Sequence, residues 1–228
     1  MTSSPLACAA CPVRDRAACS ALDEGERGDL ARLGRHRVLS PGEVLFAADE
    51  ANDRCATLVS GALKIGTVES DGSERILSLI HPAGFVGELF APVAHFDVTA
   101  LTRSEVCVFS RREYEAAVER YPALARALLR RSSEDLLGAR SLMGIVARTS
   151  ARDKVAGFLL AMGEAASDSP CHPAATFELP LSRSEVAGLL GLTIETVSRQ
   201  LTALERSGAI RRNGLRGIEL VDAAQLGN

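Results

Sequence analysis

The sequence predicts an α+β protein built from an N-terminal antiparallel β-roll, a long helix and a C-terminal winged helix-turn-helix, and three observations predict it. Past Leu33, brief runs of β-branched and aliphatic residues are broken by turn signals, the texture of an antiparallel barrel or roll. From Arg111 the apolar period lengthens from two to about three and a half, which is helical. Near the C-terminus, two short capped helices joined by a glycine are followed by a hairpin signal, the order of a winged helix. The 228 residues, 46% hydrophobic and 24% charged, suffice for two small cores and exclude wholesale disorder or a fibrous chain.

Taken in order, residues 1–22 are cysteine-rich: Cys8, Cys11 and Cys19 cluster, whereas Cys55, Cys107 and Cys171 are scattered. The opening MTSSPLACAACPVRDR lacks a basic leader and apolar core, so no secretory signal is read there. The longest nearly apolar stretch, Val155 to Gly163, is nine residues, short of the roughly 18 that span a bilayer. A cytoplasmic protein is expected, and its clustered thiols are read as ligands or reactive groups rather than disulfides. Residues 23–33 read as a short helix. Turn signals at Pro41-Gly42, Ser60-Gly61, Asp71-Gly72 and Pro82-Ala83-Gly84 then bound strands at residues 44–46, 55–59, 62–68, 76–80 and 106–109. The β-roll is expected to span residues 23–120.

A long helix is expected over residues 121–148. Ala125, Leu129, Ser132, Leu136, Ala139, Met143 and Val146 alternate at spacings of four and three, a seam that fits either a two-stranded dimer contact or a helix lying on the roll. Ser150 with Asp153 marks a new helix start leading into Val155, Phe158, Leu159 and Met162. Residues 165–175, with their Ser, Asp and Pro, read as an interdomain linker.

Residues 149–228 are expected to form the winged-helix domain. Ser182-Arg183-Ser184-Glu185 is a capping box opening one helix, Gly191 turns the chain, and Thr193 caps a second helix over residues 194–207. Val197, Leu201 and Leu204 face inward, leaving Glu195, Thr196, Ser198 and Arg199 outward near its start, where a recognition helix presents side chains to base edges. Ser182 is placed with them as a DNA contact. Asn213-Gly214 reads as the turn of a hairpin wing. The chain carries a net charge of −3, yet residues 182–216 hold six Arg against three Glu, a local basic face suited to double-stranded DNA.

Leu192-Thr193-Ile194-Glu195-Thr196-Val197-Ser198-Arg199, preceded by Leu181-Ser182-Arg183-Ser184-Glu185-Val186-Ala187, resembles the DNA-reading motif of the CRP/FNR superfamily of bacterial regulators. The resemblance extends over nearly the whole chain and implies a cyclic-nucleotide-binding-like jelly roll, a dimerisation helix and a homodimer that touches RNA polymerase through loops such as residues 70–74 or 82–91. The Glu-x-x-Ser-Arg form is similar to the FNR branch, which reads TTGAT palindromes, with Glu195, Ser198 and Arg199 at its base-contacting positions; the CRP branch carries an Arg where this chain has Ile194.

Gly87-Glu88-Leu89 resembles the ribose-holding segment of the CRP pocket, but residues 92–102 contain neither the Arg nor the Ser of the phosphate partner, so cyclic-nucleotide binding is not expected. Cys8-x2-Cys11-x7-Cys19 brings together three soft thiolates suited to zinc or an iron-sulfur cluster. The resemblance supplies the fourth ligand, Cys107, and with it a 4Fe-4S cluster whose attack by oxygen weakens the dimer. The spacing is similar to that of FNR-like proteins from photosynthetic and nitrogen-fixing α-proteobacteria. Where the enteric form carries a repulsive Asp in the seam this chain has Ala139, beside Glu134 and Asp135. A regulator responding to a small molecule, with structural zinc or no metal, is the alternative; a cysteine enzyme lacks a recognisable nucleophile, base and orienter. Cys55 is read as a core residue, Cys171 as an incidental linker thiol, and His36, His81, His95 and His172 as surface or turn histidines.

Overall fold

A computed structural model describes residues 4–5, 8–69, 72, 74–167 and 172–227. The chain divides into two compact units, Met1–Leu137 and Gly138–Asn228. Among the described residues no helix is long and apolar enough to cross a membrane.

In the first unit, β1 (Ser4–Pro5) is followed by 3-10 turns at Cys8–Ala10 and Ala18–Ala21, then α1 (Glu24–Leu33). Asp23 starts α1 with a capping box: its carboxylate accepts the Glu26 amide at 2.8 Å, and Glu26 accepts the Asp23 amide at 3.1 Å. Strands β2 (Gly34–Leu39), β3 (Val44–Phe46), β4 (Arg54–Ser60), β5 (Leu63–Val68), β6 (Glu74–Ile80), β7 (Phe85–Val86), β8 (Asp97–Ala100) and β9 (Ser104–Ser110) complete the roll. They form two antiparallel sheets, β1-β2-β9-β4-β7 and β3-β8-β5-β6. Leu39, Leu58 and Val106 from the first meet Leu45, Leu63 and Val98 from the second in one buried core, which is where hydrophobic burial holds the sheets together.

Because side chains alternate across a strand, β4 and β9 have a second, outward face. Ala56, Leu58 and Val106 point into the roll, while Cys55, Cys107 and Phe109 pack with Leu22, Leu30, Tyr114 and Leu124 in a separate cluster outside it. The N-terminal segment lies over this outer face: Val13 and Ala17 are buried with Val59 and Ala83. Helix α2 (Arg111–Arg120) follows β9 directly, and Pro122 opens α3 (Pro122–Val146) after a break at Tyr121. The expected helix over residues 121–148 thus starts at the proline, which is favoured in the first turn because its missing N–H would have had no partner there.

Helix α4 (Ala151–Ala165) begins with the Ser150 hydroxyl accepting the Asp153 amide. Strand β10 (Thr176–Glu178), α5 (Arg183–Leu190), α6 (Ile194–Arg206), β11 (Ile210–Asn213) and β12 (Gly217–Leu220) complete the second unit, with a three-stranded sheet in the order β10-β12-β11. Gly191, at φ 63°, supplies the left-handed residue that turns α5 into α6.

Several expectations are corrected. The expected linker at residues 165–175 does not mark the boundary, which falls at Leu137/Gly138: Ala165 ends α4, the Ala174 amide bonds the Gly163 carbonyl, and Leu220 and Phe177 pack at Gly163. Cys171 lies outside the described residues, as do Ser70, Asp71 and Ser73 of the first polymerase-contact loop and Asp71 of the expected turn. Asn213 is not a turn residue; it pairs with Gly217, and the loop is Gly214-Leu215-Arg216 with Gly214 at φ 68°. One left-handed glycine suffices for a three-residue hairpin loop, so the asparagine is free to stay in the ladder. His36 sits within β2, where Glu105 across the ladder lies 3.3 Å from its ring. His81 does head a turn, its carbonyl accepting the Gly84 amide at 2.9 Å, but it is half-buried, and desolvation, followed by the nearby Arg131, pushes its pKa below the ordinary value. Strands β2 and β8 were not expected from the apolar pattern.

The second unit centres on Phe158, Leu190 and Leu204, each at most 1% exposed. Phe158→Ala is expected to lower its stability by about 3–5 kcal/mol, the usual cost of emptying a buried aromatic site, read from the shift of that unit's denaturant midpoint.

Candidate functional site

Cys8 opens one 3-10 turn and Cys11 directly follows it, Cys19 lies in the next, and Cys107 in the middle of β9, paired with His36 and Thr57 on the flanking strands. All four are free thiols and border one cavity of about 30 Å³, along with Val13, Arg14, Arg27, Thr57 and Tyr114. Alternation in β9 is what aims Cys107 outward beneath the N-terminal segment.

The electrostatics are those of crowded sulfurs. Burial first, and then the neighbouring Cys11, Cys8 and Cys19, push the Cys107 thiol up to about 12. Burial and then Cys11 also raise Cys19 and Cys8, while Arg27 acts in the opposite sense on both and Arg14 on Cys8. Such thiols stay protonated at neutral pH unless a cation takes the charge. Among the described residues no group of three or more His, Cys, Asp or Glu is gathered closely enough to hold a single metal ion; the four cysteines share a cavity wall instead. Arg27 fixes that space from α1, its guanidinium donating to the carbonyls of Cys19 at 3.2 Å and Leu22 at 2.8 Å. Arg27, Arg14 and Tyr114 are site neighbours that sequence reading missed; only Arg14, three residues past Cys11, carried any positional signal. Cys55 is fully buried and outside the cavity wall, a core residue.

The segment resembling a nucleotide pocket is engaged with itself. One Glu88 oxygen accepts the His95 amide at 2.8 Å and the other meets the His95 ring. Gly87, at φ 121°, could carry no side chain, since a Cβ there would lie 2.9 Å from that of Cys55.

In the second unit, α6 buries Val197, Leu201 and Leu204 and turns Glu195 and Arg199 to solvent, with Thr196 and Ser198 half-exposed. Thr193 caps the helix by accepting the Thr196 amide at 3.2 Å. The Glu195 carboxyl is held below the usual carboxylate range by its own amide and the Thr193 hydroxyl, so it is an acceptor. Arg183 of α5 donates to the Ser198 hydroxyl at 3.2 Å, leaving the serine proton free to donate outward. The Ser182 hydroxyl is occupied within its capping box: it accepts the Glu185 amide at 3.2 Å and donates to that carboxylate at 2.7 Å. The wing arginines are also held, Arg211 by Glu219, Arg212 by Glu205 and Arg216 by the Pro180 carbonyl. Arg199 has no partner among the described residues.

Along α3, Leu124 and Leu128 are buried, whereas Leu129, Leu136 and Met143 are 69%, 50% and 71% exposed. Ser132 is exposed, and Ala125, Ala139 and Val146 are half-buried. The seam read from the sequence is an apolar stripe open to solvent in the single chain.

Comparison with known proteins gives two family matches: the cyclic nucleotide-binding domain over residues 36–121 and the Crp-like helix-turn-helix domain over residues 153–228. The chain is 34% identical to the transcriptional activator protein FnrL of Cereibacter sphaeroides, covering 96% of this chain and 90% of that protein. It is 34% identical to the nitrogen fixation regulation protein FixK of Bradyrhizobium diazoefficiens, covering 96% and 92%. The solved structure of FixK2 from Bradyrhizobium japonicum superposes with a TM-score of 0.76 at 28% identity, covering 86% of this chain and 96% of that one.

Proposed function

The chain belongs to the CRP/FNR family of transcription regulators, and from that premise we propose that it is an oxygen-responsive transcriptional activator. It holds a 4Fe-4S cluster on Cys8, Cys11, Cys19 and Cys107, dimerises through α3 and binds TTGAT-type palindromes through α6. The observation that carries the sensing half is the convergence on one cavity of three thiols from the N-terminal turns and a fourth from β9.

The donor set fits such a group. Four thiolates are its usual shell, and Arg14 and Arg27 stand where they offset the accumulated negative charge. The cavity has about one water molecule's share of volume, so the wall that must yield on loading is the turn-built N-terminal segment rather than the sheet. When bound, the cluster supplies a ligand that oxygen can dismantle. The protein's own residues do the rest: Cys8, Cys11 and Cys19 tie residues 8–19 to β9, and the outer core that Cys19 and Cys107 join also includes Leu124 and Leu128 of α3. Tightening or loosening that core bears on the helix whose exposed stripe, Ala125, Leu129, Ser132, Leu136, Ala139, Met143 and Val146, makes the homodimer contact. Two α6 helices then enter successive major grooves about 34 Å apart, with Glu195, Thr196, Ser198 and Arg199 at base edges and Ser182 at the edge of the contact. Loops of the roll such as residues 82–91 meet RNA polymerase. The internal pairing of Glu88 with His95 supports a reading without cyclic nucleotide.

The test is anaerobic purification with iron and sulfide analysis, a visible spectrum and a solution mass, repeated after measured addition of air. Nearly four irons per chain, a brown dimer and conversion to monomer as the colour fades are expected. A colourless protein with one zinc per chain, and a mass indifferent to air, would overturn it.

A further inference from the structure

Tyr114 is a buried tyrosine beside the four thiols. It stands in the first turn of α2, is 1% exposed, and its ring lies between Phe85 and Phe109 with centroids 5.3 and 5.1 Å away. Two aromatic neighbours leave such a ring little freedom to turn. The side chain borders the same cavity as Cys8, Cys11, Cys19 and Cys107, yet its hydroxyl has no hydrogen-bond partner among the described residues. The chain's other tyrosine has one: Tyr121 donates to Asp29 at 2.8 Å. Burial first, and then charge on Cys55, Cys19 or Cys107, keeps the Tyr114 phenol protonated. Tyr114 thus brings to the wall of the thiol cavity a phenol with no partner among the described residues, its ring packed against two others.

We propose that Tyr114 donates a hydrogen bond to sulfur of the group held by Cys8, Cys11, Cys19 and Cys107, and so sets how readily that group is oxidised; this rests on the cluster reading above. Tyr114 is a positioning residue, not a ligand. A donor aimed at thiolate or sulfide stabilises the more reduced, more negative state, and hydrogen bonds to sulfur are among the factors that set the potential of such groups. The contact also ties the thiol site to α2, the helix between the ligand strand β9 and α3. Arg27, another donor on the cavity wall, already directs its Nε and one terminal nitrogen at backbone carbonyls.

Tyr114→Phe keeps the ring between Phe85 and Phe109 and removes only the hydroxyl. Wild type and variant are loaded with iron and sulfide without oxygen, and three quantities are compared: iron content, midpoint potential, and the rate of colour loss in air. Equal iron, a lower potential and colour loss faster by about fivefold, one hydrogen bond's worth, are expected. As a spectroscopic check, iron–sulfur stretching bands should shift on transfer to heavy water more in wild type than in the variant. Equal loading with unchanged potential, decay and isotope shift would overturn this proposal alone, whereas a wild-type chain that takes up no iron and sulfide would overturn it together with the reading on which it rests.

Discussion

Cys107→Ala, purified without oxygen, is expected to come out nearly colourless, and its affinity for a TTGAT palindrome should no longer depend on air. Altering an outer-shell partner of a metal site already costs about 10- to 100-fold in affinity, so removing a ligand should weaken iron retention by at least about a hundredfold. Cys107 is the only one of the four thiols carried by the sheet. Without it the N-terminal segment has ligands but nothing to be tied to. Cys55→Ala is the matched control: Cys55 is equally a free thiol on the outward face of the sheet, but it is fully buried and off the cavity wall. That variant should keep its colour and lose only packing energy. Iron analysis and fluorescence anisotropy on both proteins, before and after air, check the pair, and full iron in Cys107→Ala would exclude the cysteine as a ligand.

The second large effect is expected at the DNA surface. Arg211, Arg212 and Arg216 are bound to Glu219, Glu205 and the Pro180 carbonyl, so they shape the wing before DNA arrives. Arg199 is exposed and unpartnered among the described residues, one turn into α6. A guanidinium there can bond both acceptors on a guanine edge, and losing such a contact costs about 1–3 kcal/mol of discrimination. Arg199→Ala should therefore bind a TTGAT palindrome about 5- to 150-fold more weakly, with little change on scrambled DNA of the same length. Equal losses on both would reassign Arg199 to a phosphate.

The second unit was the more legible half. Its signals are local: the Ser182 and Thr193 caps, the left-handed glycine and the inward spacing of Val197, Leu201 and Leu204 are each written within a few residues. The roll was legible only where apolar runs met turns. Strand β2 escaped because Arg35, His36 and Arg37 occupy half of it; it is held by its ladder to β9, from Gly34 opposite Phe109 to Leu39 opposite Ser104, and ladder hydrogen bonds are made by backbone, whatever the side chains. The same division runs through the thiol site. Cys8, Cys11 and Cys19 announce themselves by spacing, whereas Cys107 came from family resemblance, since nothing local links it to residues nearly a hundred positions earlier. Arg27 and Tyr114 were invisible for a related reason: their roles depend on a fold that lays the N-terminal segment on the sheet, and an arginine or tyrosine in a helix has many ordinary uses.

Arg27 carries one more consequence. By gripping the carbonyls of Cys19 and Leu22 from α1, it preserves the bend of that backbone whatever the sulfurs hold. On the proposed reading the rearrangement that loading demands then falls to residues 8–18, and a strap moored at one end has less disorder to surrender when it closes than one loose at both.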